Sequence, residues 1–336
     1  MARPIIGITM GDPVGIGPEI IIKALSHASI YDLCRPLVLG DAKVLKETSL
    51  RLSSNLRINI IESVDDGGYR HGDIDVLNLS DLDPKSLKLG HSTLDTGRAM
   101  VRYIMKAIDL AMAGVIDAVT TAPINKLSMR RAGFCFEGHT EILARRTDTS
   151  RYVMMLAGEK LRVALVTAHC PLSAVADRLS VEGILSTIEV TDNALRTRFG
   201  ITRPRIAVAA LNPHGGEGGL FGKEEDQIIY PSVRMAKGAG INVLGPLPSD
   251  TLFYYALKGS YDAVVCMYHD QGLIPFKMVH FADGVNVTLG LPIIRTSVDH
   301  GTAYDIAGTG RADPRSMIAA IRMAAAHAAT STNSTL

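Results

Sequence analysis

Short apolar segments alternate with longer amphipathic ones along most of this 336-residue chain. The short segments are rich in Val, Ile and Leu and are bounded by Gly, Pro, Asn or Asp, which predicts strands. The predicted strands are Ile5–Met10, Pro36–Gly40, Ile74–Leu79, Ala118–Thr121, Tyr152–Ala157, Leu161–Thr167, Arg205–Leu211, Ile241–Leu244, Ala263–Met267 and Ile293–Val298. Helices are predicted over Thr93–Ala113, Val181–Phe199, Glu224–Gly238 and Pro314–Ala329. This alternation favours an α/β fold with helices on both faces of parallel sheets.

The length corresponds to two domains at roughly 150 residues each. No Pro-, Gly- or Ser-rich linker divides the chain, so we expect two domains that share crossover strands. The net charge of +1 argues against a nucleic-acid partner. No run approaches the roughly 18 apolar residues of a membrane span, so no membrane partner is expected. The four cysteines lack a C-x-x-C spacing and predict a reduced, cytoplasmic protein.

A first glycine loop (Gly11–Gly17) follows the first predicted strand and opens a helix. A helix N-terminus can bind an anion through its free N–H groups. The loop lacks the Gly-Lys-Ser/Thr of a P-loop, and Ile20 stands where a dinucleotide fingerprint needs its third Gly. A tight turn with Pro18 at the start of the helix explains the same residues. Both interpretations stay open at this point.

Three predicted strands each end in a histidine, at His169, His214 and His269. Ligands of open α/β sheets bind beyond the carboxyl ends of the strands, so these side chains can converge. Three imidazoles with one open position form a typical catalytic metal centre. The residue types fit zinc, cobalt, iron and nickel alike. A single histidine would more simply be structural, but the threefold recurrence favours a metal site.

Further polar residues occur near these strand ends. Asp270 follows His269 directly, and His139 and Thr140 begin a predicted helical segment that could meet an anion. A cation pair with an amide is suited to a phosphate or carboxylate. The remaining candidates for this group are Asp250, Lys277, Asn286 and Arg295. Together with the histidines they predict a small anionic substrate held against a metal ion.

Several motifs resemble one protein family. Ile8–Glu19 resembles the opening of the isocitrate/isopropylmalate dehydrogenase superfamily, and a C-terminal glycine loop (His300–Gly310) resembles its nucleotide-binding loop. Asn212–Gly216, Met267–Gly272 and Gly284–Pro292 are similar to motifs of the 4-hydroxythreonine-4-phosphate dehydrogenase (PdxA-type) family. The resemblance runs from about Ile5 to about Met317, nearly the whole chain.

The resemblance implies an α/β, isocitrate/isopropylmalate dehydrogenase-like fold: two α/β/α domains with an interdomain cleft. We expect a nucleotide-associated domain from residues 1–122 plus 290–336, and a metal, substrate and dimerisation domain from 123–289. It implies a homodimer whose active site takes residues from both subunits. The metal ligands fall on His169, His214 and His269. The substrate contacts fall on His139, Thr140, Asp250, Lys277, Asn286 and Arg295.

The implied reaction is oxidation of the secondary alcohol of a phosphorylated four-carbon acid by NAD or NADP, followed by decarboxylation. It requires one divalent ion, Zn, Mg, Co or Mn. Lys277 and Asp270 are the candidate catalytic residues, and Lys277 either transfers a proton or only neutralises charge. The cofactor contacts are expected at His300, Gly301, Thr302 and Asp305.

Four alternatives remain at this point. Paralogues in the same family act on 4-phospho-D-threonate or 4-phospho-D-erythronate, and Gly219–Glu225 and Phe281–Asn286 look closer to that branch. A branch that acts on aromatic cis-dihydrodiols ranks below it. A metallohydrolase would use the same histidines to activate water without a nicotinamide. A non-catalytic metal- or metabolite-binding module would bind ligands without turnover.

Overall fold

The structure is a computed structural model that describes residues 3–136 and 138–333. The chain divides into two compact units. Unit 1 comprises Met1–Ser150 and Leu291–Ala329, and unit 2 comprises Arg151–Gly290 and Thr330–Leu336. The second domain was expected to begin at residue 123, but residues 123–150 lie in unit 1. Their two helices pack against a long helix of unit 1, a contact between segments that sequence spacing does not reveal.

Unit 1 is built on a parallel sheet with strand order β3-β4-β2-β1-β5-β12. The strands are β1 (Ile5–Thr9), β2 (Arg35–Gly40), β3 (Arg57–Ile61), β4 (Asp73–Asn78), β5 (Ala118–Thr121) and β12 (Arg295–Val298). The helices are α1 (Gly17–Leu25), α2 (Ala28–Leu33), α3 (Ala42–Arg51), α4 (Leu94–Met112), α5 (Lys126–Arg131), α6 (His139–Arg146) and α12 (Arg315–Asn333).

The apolar stripe predicted on α4 is the face that packs into the core of unit 1. Met100, Ile104 and Ile108 are buried, whereas Met112, the last residue of the helix, is half exposed. Thr93 caps the helix, because its hydroxyl accepts a hydrogen bond from the Thr96 N–H. Burying three such side chains stabilises the unit by roughly 1.5–3 kcal/mol each.

Unit 2 has strand order β11-β6-β7-β10-β8-β9. The strands are β6 (Val153–Ala157), β7 (Arg162–Leu165), β8 (Ile206–Ala209), β9 (Val243–Leu247), β10 (Ala263–Cys266) and β11 (Val285–Leu289). The helices are α7 (Val175–Arg178), α8 (Val181–Thr197), α9 (Tyr230–Gly238), α10 (Ser249–Leu257) and α11 (His269–His280). β7, β10, β8 and β9 are parallel, so their carboxyl ends lie at one edge of the sheet.

The expectation of purely parallel sheets is wrong for unit 2. β6 is antiparallel to both β7 and β11. Residues 158–161 join β6 to β7, and a connection this short permits a hairpin but no crossover. β3 and β11 are not among the predicted strands. β3 has little buried apolar surface, since all but one of its residues are exposed or half-buried, which weakens the pattern.

Among the described residues, no helix is both long and apolar enough to cross a membrane.

Candidate active site

The three predicted histidines follow adjacent parallel strands of unit 2. His169 follows β7, His269 begins α11 directly beyond β10, and His214 lies in a turn beyond β8. The strand order β7-β10-β8 places all three at the carboxyl edge of the same sheet. This is the position at which ligands bind in open α/β sheets. The fold thus provides the shared edge that the sequence pattern anticipates.

His169 and His269 form a histidine pair, with ring centroids 5.9 Å apart and planes tilted by 42°. Both rings line a cavity of about 490 Å³, together with Asp270, Tyr268 and Leu172. A cavity of this volume is in the range of small-molecule sites. The histidine pair therefore borders a space that can admit a small substrate.

The Asp270 carboxylate lies 2.7 Å from Nδ1 of His269. A carboxylate accepts hydrogen bonds, so Nδ1 of His269 carries the proton and its Nε2 keeps a lone pair for a metal ion. Asp270, a candidate catalytic residue in the sequence analysis, is thus placed to orient His269. Two imidazoles with this arrangement fit two ligand positions of a divalent ion.

His214 is in a different environment. Its backbone has φ of 52°, its side chain is 68 % exposed, and its Nδ1 lies 3.4 Å from Oε2 of Glu217. Its ring makes an edge-on contact with Phe221 at 5.9 Å. Over the described residues, no group of three or more His, Cys, Asp or Glu side chains could hold a metal ion. The structure thus brings two of the three predicted ligands together, and His214 remains a prediction.

Two buried residues that are not among the predicted catalytic, substrate, cofactor or metal residues fix the loops that carry these histidines. The Glu225 carboxylate accepts hydrogen bonds from the N–H groups of Leu211 and Asn212, at 2.8 and 2.7 Å. The Gln271 side chain accepts from the Met267 N–H at 2.6 Å and donates to the Ala210 carbonyl. Gln271 thereby joins the ends of β8 and β10. No spacing rule marks Glu225, because its partners lie more than ten residues away.

Unit 1 carries a second polar group of predicted site residues. Arg295 is 3 % exposed, and its Nη2 donates to the Thr121 hydroxyl at 2.8 Å. His139 and Thr140 form the first turn of α6. Burial lowers the pKa of Arg295 to about 9. Burial, reinforced by the positive charges of Arg295 and Lys126, holds the pKa of His139 well below its usual range. His139 is therefore neutral near pH 7 beside two cations.

The remaining predicted substrate contacts lie in unit 2. Lys277 is on α11, with its Nζ 5.7 Å from the ring centroid of Phe281. Asn286 is on β11, where it pairs with Leu156 of β6. Asp250 is exposed in the first turn of α10. Their convergence on one ligand remains a prediction.

The predicted cofactor residues lie on the C-terminal glycine loop of unit 1. His300, Gly301 and Asp305 are exposed, whereas Thr302 is half-buried. The Thr302 carbonyl accepts a hydrogen bond from the Ile16 N–H at 3.1 Å. The loop is thus fixed at Thr302 while its exposed residues remain accessible, which fits contact with a nucleotide. Cofactor binding there stays a prediction.

The first glycine loop is buried throughout. A Cβ on Gly15 would lie 3.1 Å from the Thr302 side chain, so glycine permits the two loops to pack closely. The N-terminus of α1 is therefore covered by the protein's own C-terminal glycine loop. Of the two interpretations in the sequence analysis, this geometry supports a tight turn rather than an anion site.

Comparison with known proteins identifies the same family that the sequence motifs resemble. The family model described as "Pyridoxal phosphate biosynthetic protein PdxA" matches residues 32–324. A 4-hydroxythreonine-4-phosphate dehydrogenase of Desulforapulum autotrophicum is 58 % identical over 326 residues, covering 97 % of this chain and 96 % of the relative. A Clostridium botulinum relative, provisionally named D-threonate 4-phosphate dehydrogenase, is 44 % identical over 323 residues, 96 % of each chain.

A crystal structure of a Klebsiella pneumoniae 4-hydroxythreonine-4-phosphate dehydrogenase is 43 % identical. It covers 97 % of this chain and 100 % of its own, with a TM-score of 0.90. The predicted isocitrate/isopropylmalate dehydrogenase-like fold is confirmed by this likeness. The chain therefore belongs to the PdxA family of pyridoxal phosphate biosynthetic proteins.

Proposed function

We propose that this protein oxidises the secondary alcohol of a phosphorylated four-carbon hydroxy acid of the 4-phosphohydroxy-L-threonine type, followed by decarboxylation. The observation that carries the proposal is the 58 % identity to a 4-hydroxythreonine-4-phosphate dehydrogenase over 97 % of the chain. The histidine pair beside a substrate-sized cavity and the buried Arg295 supply chemistry that agrees with it.

The reaction needs a divalent ion and NAD or NADP. His169 and His269 would hold the ion, with His214 as the predicted third ligand. His300, Gly301, Thr302 and Asp305 would contact the nicotinamide cofactor. When bound, the ion would lower the pKa of the substrate alcohol and polarise the carbonyl of the product, and the nicotinamide would accept the hydride.

The chain's own residues bind and orient the substrate. Arg295, His139 and Thr140 would bind an anionic group, because they combine a buried cation with the N-terminus of α6. Asn286 and Asp250 would contact its polar substituents. Lys277 would hold or deliver a proton near the reacting carbons. Asp270 would keep the ring of His269 in the tautomer that leaves Nε2 free.

A second substrate is favoured by one specific observation. The relative provisionally named D-threonate 4-phosphate dehydrogenase is 44 % identical over nearly the whole chain. 4-Phospho-D-threonate and 4-phospho-D-erythronate carry a hydroxyl where 4-phosphohydroxythreonine carries an amine. They would present the same phosphate and carboxylate to the site, so the cations named above suit all three compounds.

One panel of assays tests the proposal. The purified protein is incubated with each of the three phosphates, with NAD or NADP, and with or without a divalent ion, while the nicotinamide absorbance is followed. We expect reduction that requires metal and stops when a chelator is added. No reduction with any of the three phosphates in the presence of metal would refute the proposal. Turnover without nicotinamide would indicate a hydrolase instead.

We also propose a homodimer that forms through α11. Ile274, Met278 and Phe281 are 60, 83 and 78 % exposed and are spaced to form one apolar helical face. Such a face is suited to a second copy of the same helix. We expect Met278→Glu to give a monomer in analytical ultracentrifugation. Leu50→Glu, a control at an exposed leucine of α3, should leave a dimer. A dimeric Met278→Glu protein would contradict this interface.

We also propose a cytoplasmic location, because the four cysteines lack the spacing of a disulfide framework. Cys34, Cys135, Cys170 and Cys266 are all free thiols in the structure.

A further inference from the structure

Lys126, which none of the site predictions includes, lies beside the N-terminus of α6. It is the first residue of α5, a helix capped by Asn125, whose side chain accepts a hydrogen bond from the Ser128 N–H at 2.8 Å. A Cβ on Gly138 would lie 3.5 Å from Cε of Lys126 and 4.0 Å from its Nζ. Gly138 is the N-cap of α6, so the ammonium group stands next to the first turn that carries His139 and Thr140.

The ammonium group of Lys126 is exposed, and no described carboxylate lies within ion-pair distance of it. Nε2 of His139 is buried and has no hydrogen-bond partner among residues 3–136 and 138–333. A buried polar atom without a partner is costly, which points to a ligand that completes the site. Lys126 lies beside the N-cap that precedes His139, and the positive charges of Lys126 and Arg295 both act on His139. We therefore treat these three residues as one anion-binding cluster.

The positive charge of this anion-binding cluster indicates which kind of ligand it binds. Lys126 and Arg295 supply two positive charges, His139 adds a neutral imidazole, and the N-terminus of α6 adds partial positive charge. A carboxylate would balance only one of the two cations. A phosphate monoester carries close to two negative charges near neutral pH and has three acceptor oxygens. The cluster therefore matches the phosphate of a substrate better than its carboxylate.

Building on the proposed function, we propose that Lys126 binds the substrate's phosphate together with His139 and Arg295, and that it selects phosphorylated over unphosphorylated hydroxy acids. An exposed lysine would otherwise be an ordinary solvated surface residue. The two interpretations differ in whether removing the charge affects phosphate recognition.

The first test compares two substrates in three variants. Lys126→Met removes the charge, Lys126→Arg keeps it, and Lys106→Met on α4 is the control at another exposed lysine of unit 1. Each is assayed with a phosphorylated four-carbon hydroxy acid and with the same acid lacking the phosphate. We expect Lys126→Met to lower kcat/KM for the phosphorylated acid by about 10-fold to 100-fold, mostly through KM. For the unphosphorylated acid we expect less than about a 3-fold change.

Lys126→Arg should recover most of the loss, and Lys106→Met should match the wild type. An equal loss with both substrates would overturn the assignment to the phosphate. A Lys126→Met enzyme indistinguishable from the wild type would overturn any role for Lys126 in binding.

The second test does not depend on turnover. Inorganic phosphate is titrated against the wild type and Lys126→Met while the thermal midpoint is measured, since a ligand of the folded state raises that midpoint. We expect the wild type and Lys106→Met to be stabilised at lower phosphate concentrations than Lys126→Met. A response independent of Lys126 would contradict the proposal. If the wild type oxidises none of the substrates yet binds phosphate in this Lys126-dependent way, the proposed function fails and the anion site stands.

Discussion

The Tyr304 hydroxyl donates a hydrogen bond to the carboxylate of Asp12 and so ties the C-terminal glycine loop to the first glycine loop. Asp12 is fully buried, and its other carboxylate oxygen accepts from the Val14 N–H at 3.1 Å. Burial raises the pKa of Asp12, and the bond from Tyr304 opposes that shift. This part-buried hydrogen bond adds to the one between the Ile16 N–H and the Thr302 carbonyl, so the two loops are joined at two points where cofactor contacts are expected.

Removing the Tyr304 hydroxyl should weaken both the fold and cofactor binding. Tyr304→Phe leaves one oxygen of the buried Asp12 carboxylate without this donor, so we expect a loss of about 1–3 kcal/mol in the free energy of unfolding. Because the C-terminal glycine loop is then less fixed, KM for the nicotinamide should rise more than kcat falls. Urea unfolding and steady-state kinetics measure the two effects. Tyr254→Phe, at an exposed tyrosine of α10, is the control. Unchanged stability and KM in Tyr304→Phe would contradict this role.

His139 should make the free energy of unfolding depend on pH in the acidic range. Its folded-state pKa lies below the ordinary value of 6.5, so on acidification the unfolded chain takes up this proton first. The stability that His139 contributes is therefore present above about pH 6.5 and is lost as pH falls toward the lower folded pKa, by about 1.4 kcal/mol per pH unit. Urea unfolding at several pH values should show this slope in the wild type.

His139→Gln removes the titrating group and should flatten the slope over the same range. His91→Gln, at an exposed histidine of unit 1, should keep the wild-type slope. If the His139→Gln and wild-type curves remain parallel between about pH 5 and 7, His139 is not the group responsible.

Sequence patterns located the strand ends but could not give the direction of every side chain. Apolar periodicity marks where β7, β10 and β8 stop, so it places His169, His269 and His214 at one sheet edge. The direction of the His214 ring depends on a turn with positive φ and on contacts to Glu217 and Phe221. Those are properties of a folded loop, which residue spacing does not encode.

The boundary between the two units shows the same limit. A boundary near residue 122 follows from the end of β5, but α5 and α6 pack against α4 and stay with unit 1. This contact places Lys126 and His139 in the same unit as Arg295. Sequence order alone separates Lys126 from Arg295 by more than 160 residues. The residue pattern and the motif resemblance both predict His139 and Arg295 as substrate contacts, whereas Lys126 needed the folded structure.

Gln271 should prove important for stability and for metal binding, although its side chain is not a predicted ligand. Its amide also donates to the Ser249 hydroxyl at 2.9 Å. Gln271→Met removes three hydrogen bonds, two of them buried, so we expect a loss of about 2–4 kcal/mol in the free energy of unfolding. Because Gln271 holds the end of β10 directly before His269, metal affinity should fall about 10-fold or more. Calorimetric metal titration tests this, with Gln227→Met at an exposed glutamine as the control. Wild-type metal affinity in a folded Gln271→Met protein would contradict it.

The histidine pair should account for much of the metal affinity, and His214 is the residue whose role most needs measurement. We expect His169→Ala and His269→Ala each to reduce Co²⁺ or Zn²⁺ affinity by at least about 100-fold and to abolish the metal-dependent reaction, because each removes an imidazole ligand. Asp270→Asn should cost about 10-fold to 100-fold, since it weakens the hydrogen bond that orients His269. Far-ultraviolet circular dichroism confirms that each variant is folded.

The motif resemblance predicts that His214→Ala behaves like the variants of the histidine pair, which requires the 213–219 turn to present the His214 ring differently when metal binds. Cobalt absorption spectra of His214→Ala decide this, because loss of one nitrogen ligand changes the ligand-field bands. Full activity with an unchanged cobalt spectrum would show that His214 is not a metal ligand and that the histidine pair supplies the imidazole ligands.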